Sequence, residues 1–169
     1  MVIKNWQFIP KTMSLIHIRK AEITDAKSLS ELICENARKI LKPHYSEVQW
    51  EIFIKYYAVE TMATKITTQL VFCAEKDDEI VGTIALDGDF IVGFYTRLQS
   101  MNQGIGKLLI TSLENHALNS GLTKLQLAST PEGLDFYYKN GWQKVKNFTV
   151  NHYGVEFEET LMVKELKNI

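Results

Sequence analysis

The 169-residue chain has no excess of either charge: 19 Lys and Arg stand against 20 Asp and Glu. It therefore lacks the bulk positive field that holds nucleic acid or an anionic membrane, and neither partner is expected. It has only two cysteines, Cys34 and Cys73, each among apolar neighbours. Two cannot build a disulfide framework or a metal cluster, so they read as buried free thiols of a reducing compartment. No apolar run is long enough to span a membrane, and no signal-peptide core stands near Met1; a cytoplasmic protein is expected. His, Cys, Asp and Glu fall in no metal-ligand spacing. No Ser, Cys or Lys has the partner pattern of a covalent nucleophile. Repeats, low-complexity tracts and linkers are missing too. What remains has the length of one domain, with 46% apolar residues to fill a core.

Residues 1–14 are expected to form an N-terminal arm or start-site extension, because Pro10-Lys11 separates Met1–Thr12 from the rest of the chain and Met13 is a second methionine. The domain is placed at 15–169.

The most informative stretch is Phe94–Gly121. It reads as a strand end, a turn around Gly104-Ile105-Gly106 and a long helix closed by Gly121. Ile105, Leu108, Leu109, Leu113 and Ala117 recur at helical spacing. The two glycines let a ligand approach the backbone where the first helical amides lack partners and the dipole is positive, which is an anion site. The same letters also suit a helix cap with no ligand. Two nucleotide motifs fail here. Met101 stands five places before Gly106, and Leu108 follows Lys107, so there is no mononucleotide phosphate loop. Leu109 occupies the third glycine place of the dinucleotide fingerprint.

The rest alternates in character. Leu15–Arg19 reads as a strand. Thr24 or Asp25 can cap a helix carrying Ala26, Leu29, Leu32, Ile33, Ala37, Ile40 and Leu41, ended by Pro43. Ser46 and Gln49 have capping-box spacing for a second helix, with Trp50, Phe53, Ile54 and Tyr57 on one side. Val59–Thr68 stays unassigned. Strands come next at Leu70–Glu75, Glu79–Leu86 and Phe90–Thr96, with turns at Lys76-Asp77-Asp78 and Asp87-Gly88. Lys124–Leu127 is a short strand, and Pro131 starts a helix that Gly141 closes. Gln143–Val150 and Phe157–Glu165 are a last pair of strands, joined near His152-Tyr153-Gly154. One α/β (α+β) domain on a central mixed sheet is the economical reading.

This order resembles the GNAT superfamily of N-acetyltransferases over roughly Leu15–Leu166. The hairpin EIVGTIALDGDFIVGFYT is similar to that family's central strands, and NQGIGKLL to its coenzyme A pyrophosphate loop. LQLAS resembles the strand that splays from its neighbour, and FYYKNGW the aromatic-tyrosine-then-Gly-aromatic segment. The resemblance implies a mostly antiparallel sheet with a splay between two central strands, flanked by about four helices. It implies acetyl-CoA as cofactor and acyl transfer to a primary amine of a small molecule or peptide by direct attack.

Carried residue by residue, the resemblance puts the family loop, Q/R-x-x-G-x-G/A, on Met101, Asn102, Gln103, Gly104, Ile105 and Gly106, with Lys107 in the first helical turn. Met101 departs from the Gln or Arg of the pattern. Phe94, Tyr95 and Thr96 would pair with the pantetheine arm, and the splay would open near Ala128 and Ser129. Tyr137 stands where the family has a tyrosine near the coenzyme sulfur, a phenol that can act as general acid. Asp89 is the candidate base, with Asp87, Glu51, His44 and Tyr45 as alternatives; the two aspartates also suit plain turn roles. Tyr45 and Trp50 would shape the acceptor pocket. His116 and His152 read as surface or structural. The departure at Met101 and the absence of a base signature leave a second reading: an acyl-CoA-binding sensor or interaction module of the same fold, without transfer. Monomer and homodimer both remain open.

Overall fold

The computed structural model describes residues 15–167. The arm expected at 1–14 lies outside them, as do residues 168–169. Along the chain come β1 (His17–Lys20), α1 (Ala26–Ile40), α2 (Glu47–Tyr56), α3 (Val59–Thr68), β2 (Leu70–Lys76), β3 (Glu79–Asp87) and β4 (Phe90–Thr96). Then come α4 (Ile105–Asn119), β5 (Lys124–Ser129), α5 (Leu134–Lys139), β6 (Gln143–His152) and β7 (Val155–Glu165).

The described residues thus hold five α-helices rather than about four. The unassigned Val59–Thr68 is the added one. Its threonines favour helix weakly, and Thr64, Thr67 and Thr68 return their hydroxyls to carbonyls one turn back. Met62 packs into the core beside α1, so tertiary burial decides the helix where propensity does not.

The strands form one sheet in the order β1-β2-β3-β4-β5-β7-β6. All neighbours are antiparallel except β4 and β5. That parallel pair is short: only Phe90 with Gln126 and Ile91 with Leu127 are in register. Beyond them the strands part. β4 bends at Gly93, whose φ of +62° an L side chain resists, and its register against β3 slips between Thr83 and Ala85. The expected splay is therefore present, opening after Leu127. The last two strands pair within the chain, and β6 forms one outer edge.

Helices cover both faces. Ile105, Leu109, Ile110, Leu113 and Ala117 of α4 pack against Phe72, Ala74, Ile84 and Leu86 on one side. Leu29, Leu32, Ile33 and Ala37 of α1, with Phe53 and Met62, pack against Val71, Cys73 and Ala85 on the other. Helices on both faces explain why β3 is buried without alternation from Ile80 to Leu86, with the one hydroxyl among them, that of Thr83, donating to the Phe72 carbonyl. Each such Leu or Ile contributes about 1.5–3 kcal/mol. Cys73 is buried and Cys34 half-buried, both as free thiols.

The local signals mostly hold. The capping box forms, with the Ser46 amide donating to Gln49 Oε1 at 2.9 Å and the Gln49 amide to Ser46 Oγ at 3.2 Å. Gln49 Nε2 also donates to the Glu156 carbonyl at 2.9 Å, tying α2 to β7. Asp25 takes the cap position of α1 without capping it. Its carboxylate instead receives two bonds from Arg19, at 2.7 and 3.0 Å, a charge-assisted pair stronger than a cap bond. Pro131 starts a separate 3₁₀ turn, Pro131–Gly133, before α5.

Candidate active site

Gly104 begins α4 with φ +81° and no side-chain cap. The first helical bond runs from the Leu108 amide to the Gly104 carbonyl at 3.0 Å. The amides of Ile105, Gly106 and Lys107 therefore have no helical acceptor and point out along the positive dipole end. A Cβ at Gly104 would meet nothing within 4 Å, so that glycine is needed for its backbone conformation. At Gly106 a Cβ would sit in ordinary contact, 3.4 Å from the Phe136 ring and 3.6 Å from the Phe94 ring, so only a side chain larger than Ala would crowd the cavity there. Free amides around a bare backbone fit a diphosphate.

The other loop residues divide. Ile105 is buried in the core, leaving only its backbone for a ligand. Gln103 is engaged, accepting from Lys76 Nζ at 3.0 Å and donating to the Gln99 carbonyl at 3.3 Å. Asn102 turns the chain with φ +61°. Met101 is exposed but borders a large cavity, and Lys107 is exposed.

That cavity, of about 470 Å³, runs from this helix end through the splay. One wall is β4, Phe90–Thr96; past Ile91 its edge has lost β5 as hydrogen-bonding partner. Asn36 of α1 steadies the end of that strand, donating from Nδ2 to the Thr96 carbonyl at 2.7 Å. Across the gap lie Ala128 and Ser129, whose Oγ donates to the Thr130 carbonyl at 2.8 Å and so serves its own turn. Phe94 faces Phe136 and Tyr137, with centroids 5.5 and 6.2 Å away. Tyr95 points to the opposite face of the sheet, 5.7 Å from Tyr57.

Tyr137, on α5, lines this cavity beside Phe136 and Trp142. Burial, and secondarily the charge of Glu159, lifts its phenol well above the ordinary range. It therefore stays protonated across neutral pH.

The far end of the cavity is lined by Tyr45, Phe53, Tyr56, Phe148, Val150, His152, Phe157 and Glu159. Tyr45 meets Phe157 edge-on at 5.4 Å. Trp50 is not part of this lining. Its ring stacks on Phe53 at 5.7 Å and lies under Lys42, a packing role in place of the expected acceptor contact.

The expected bases lie elsewhere. Asp89 stands in the turn of the β3–β4 hairpin, outside the lining, where its carboxylate accepts from Gln126 Nε2 at 3.0 Å. It is a turn residue in place of the expected base, because its carboxylate and carbonyl serve Gln126 of β5 and it is not among the residues that line the cavity. Asp87 accepts from Gln69 at 3.2 Å, and Glu51 is exposed. His44 sits 3.5 Å from Glu132. Of the alternatives only Tyr45 borders the cavity.

Among the titratable residues that border the cavity unforeseen are His152 and Glu159. His152 packs 4.6 Å from Tyr56, and burial followed by the charge of Lys65 lowers its pKa. Glu159 is paired across the β6–β7 ladder with Phe148, and burial pushes its carboxyl up to about 7. The sequence carried a signal for it. Strand period places Glu159 on the face of Phe157 and Glu158 on the opposite face, and a carboxylate on an apolar face marks a perturbed group. Among the described residues no cluster of His, Cys, Asp and Glu could hold a metal ion, and no helix is long and apolar enough to cross a membrane.

A family model described as an acetyltransferase (GNAT) domain matches residues 41–166. The fold superimposes on a GCN5-related N-acetyltransferase from Rhodopseudomonas palustris with a TM-score of 0.83 at 25% identity, covering 91% of this chain and 98% of that one. It superimposes on the PaiA N-acetyltransferase from Thermoplasma acidophilum, solved in complex with coenzyme A, with a TM-score of 0.75. Identity there is 24%, over 89% of this chain and 99% of that one, a likeness of fold alone. No curated protein sequence matches the chain.

Proposed function

This chain belongs to the acetyltransferase (GNAT) domain family, and from that premise we propose that it transfers acetyl from acetyl-CoA to a primary amine of a small molecule or peptide by direct attack. Acyl transfer is the family's chemistry and acetyl-CoA its acyl donor. The observation that carries the proposal is the unpaired edge of β4. It leads from the free amides of α4 into a cavity that Tyr137 lines.

Bound acetyl-CoA supplies an acyl group activated on sulfur. The amides of Ile105, Gly106 and Lys107 would hold its diphosphate. The main-chain groups of Phe94, Tyr95 and Thr96 would pair with the pantetheine arm as an added strand. Their N–H groups also offer fixed donors to the carbonyl oxygen, which gains negative charge as the amine attacks. A C–N bond forms and the C–S bond breaks, with its electron pair left on sulfur. Tyr137 donates a hydrogen bond to that sulfur. Its phenol is a weaker acid than an ordinary thiol of pKa about 8.5, so it stabilises the thiolate without surrendering its proton. The free thiols of Cys34 and Cys73 suit a reducing compartment and support a cytoplasmic location.

The test is free-thiol release from acetyl-CoA over a panel of amines, with the product identified by mass. Release above hydrolysis together with an N-acetylated product is expected. Calorimetric binding of coenzyme A with no turnover on any amine would overturn transfer in favour of the silent acyl-CoA-binding reading.

A further inference from the structure

The far end of the cavity is built mainly of ring carbon. Tyr45, Phe53, Tyr56 and Phe157 line it, Phe157 together with its cross-strand partner Val150. Among these rings stands Glu159. No hydrogen bond or salt bridge from the described residues reaches its carboxylate. The titratable groups around it are the phenols of Tyr45, Tyr57, Tyr95 and Tyr137, all held neutral by burial, and His152, which lines the same end 5.6 Å from Phe157 and whose pKa burial lowers. Glu132, the other carboxylate of the lining, sits at the rim against His44.

Resting on the acetyl-transfer reading, we propose that the acceptor is a small monoamine with an apolar, aromatic body, its ammonium held and deprotonated by Glu159. Glu159 is half-buried among these rings, and a carboxylate set there without a partner is best satisfied by a cation or neutralised by a proton. A protonated amine does the first, and the surrounding rings favour the same charge through their faces. The body attached to that amine must suit walls made mostly of ring carbon, whose polar groups are phenol hydroxyls and the His152 imidazole. A peptide brings a main-chain N–H and C=O with every residue, and each one the few hydroxyls do not reach costs about 1–3 kcal/mol. A polyamine would bring further positive charge to an end already flanked by lysines. Lys65 lies 3.6 Å over Tyr56, Lys42 5.5 Å over Trp50 and Lys55 4.4 Å over Tyr153. Size agrees, because the cavity of about 470 Å³ must also admit the acyl end of the donor.

Protons balance across the transfer. The amine enters as ammonium and gives one proton to the Glu159 carboxylate, which returns it to solvent. The freed lone pair forms the C–N bond as the C–S bond breaks. The second proton leaves nitrogen for solvent, and the departing sulfur takes one back as thiol. The net yield is amide, thiol and one proton.

The full-length protein is given acetyl-CoA and, in parallel, 2-phenylethylamine, spermidine and an octapeptide with a free N-terminus. We expect kcat/KM for 2-phenylethylamine at least tenfold above both comparators. Glu159→Gln should lower it by a hundredfold or more and weaken calorimetric binding of 2-phenylethylamine at least tenfold, with coenzyme A affinity unchanged. Acetylation of spermidine or the peptide as fast as or faster than 2-phenylethylamine overturns the acceptor class and leaves acetyl transfer standing. Wild-type behaviour of Glu159→Gln toward 2-phenylethylamine removes Glu159 from the site. Coenzyme A binding without turnover of any amine overturns the transfer reading and this inference together. The ranking of amines needs no variant, so the acceptor class is decided even if Glu159→Gln does not fold.

Discussion

Asn36 on α1 and Thr96 at the end of β4 are joined by one hydrogen bond of 2.7 Å across 60 residues of sequence. Past Ile91, β4 has β3 on one side and open cavity on the other. The Asn36 amide therefore braces the part of the strand whose free edge defines the cleft. Asn36 is buried among the apolar residues of α1, where a polar side chain persists only if it is paired.

Asn36→Ala is expected to cost about 1–2 kcal/mol. In a chain of this size that lowers Tm by roughly 2–8 °C. Coenzyme A affinity should fall several-fold as the edge of β4 loosens. Calorimetry and a thermal melt check this, and an unchanged affinity would show that the brace serves stability alone.

Gly106→Val tests the approach to the backbone. A Cβ there is in ordinary contact with Phe136 at 3.4 Å, but the two methyls of Val would crowd the cavity that Gly106 lines, so the Kd for coenzyme A should rise at least tenfold. Gly104→Ala acts differently. Space there is open but φ is +81°, so the cost is about 1–2 kcal/mol of backbone strain and appears mainly as a lower Tm. Wild-type coenzyme A binding by Gly106→Val would remove this turn from the site.

Tyr137→Phe should lower kcat about tenfold, the value of one hydrogen bond to a developing thiolate. Coenzyme A affinity should stay within about twofold. Steady-state kinetics with a good acceptor decides, and an unchanged kcat would assign Tyr137 to packing against Phe94 and Trp142.

Glu159 gives a pH prediction with two opposite signs. Burial lifts its carboxyl from 4.5 to about 7. The folded state therefore holds this proton more tightly than the unfolded chain. The stability this contributes is full below 4.5 and is lost as pH rises through about 7. Glu159→Gln should thus gain on the order of 3 kcal/mol relative to wild type above neutrality, and nothing in acid. Activity runs the other way, because proton transfer needs the ionised form: kcat/KM should climb with pH through about 7. His152 titrates below its ordinary value and the facing phenols stay protonated, so this limb belongs to Glu159. A limb that persists in Glu159→Gln would assign it to another group.

Much of the fold was legible because its signals are local. The Ser46–Gln49 box, the Asp77-Asp78 turn with φ of 52° and 63°, and the helix closed by Gly121 at φ +88° each act within a few residues. The glycine turn at the start of α4 was legible for the same reason. Val59–Thr68 was not, because its threonines argue against the helix that packing on α1 imposes. Asp25 holds the expected cap position but turns back to Arg19 on β1.

The letters alone determined the element order, the amide-rich helix start and the family resemblance, since period, caps and turns are written in neighbouring residues. Tertiary structure alone decided which side chains meet in the cavity. Glu159 and Tyr137 come together only because β7 inserts between β5 and β6. Asp89 is excluded because its hairpin bonds to Gln126 on β5, away from the cleft. Strand order follows from the sum of burial over both sheet faces, and no single segment carries that sum in its own pattern.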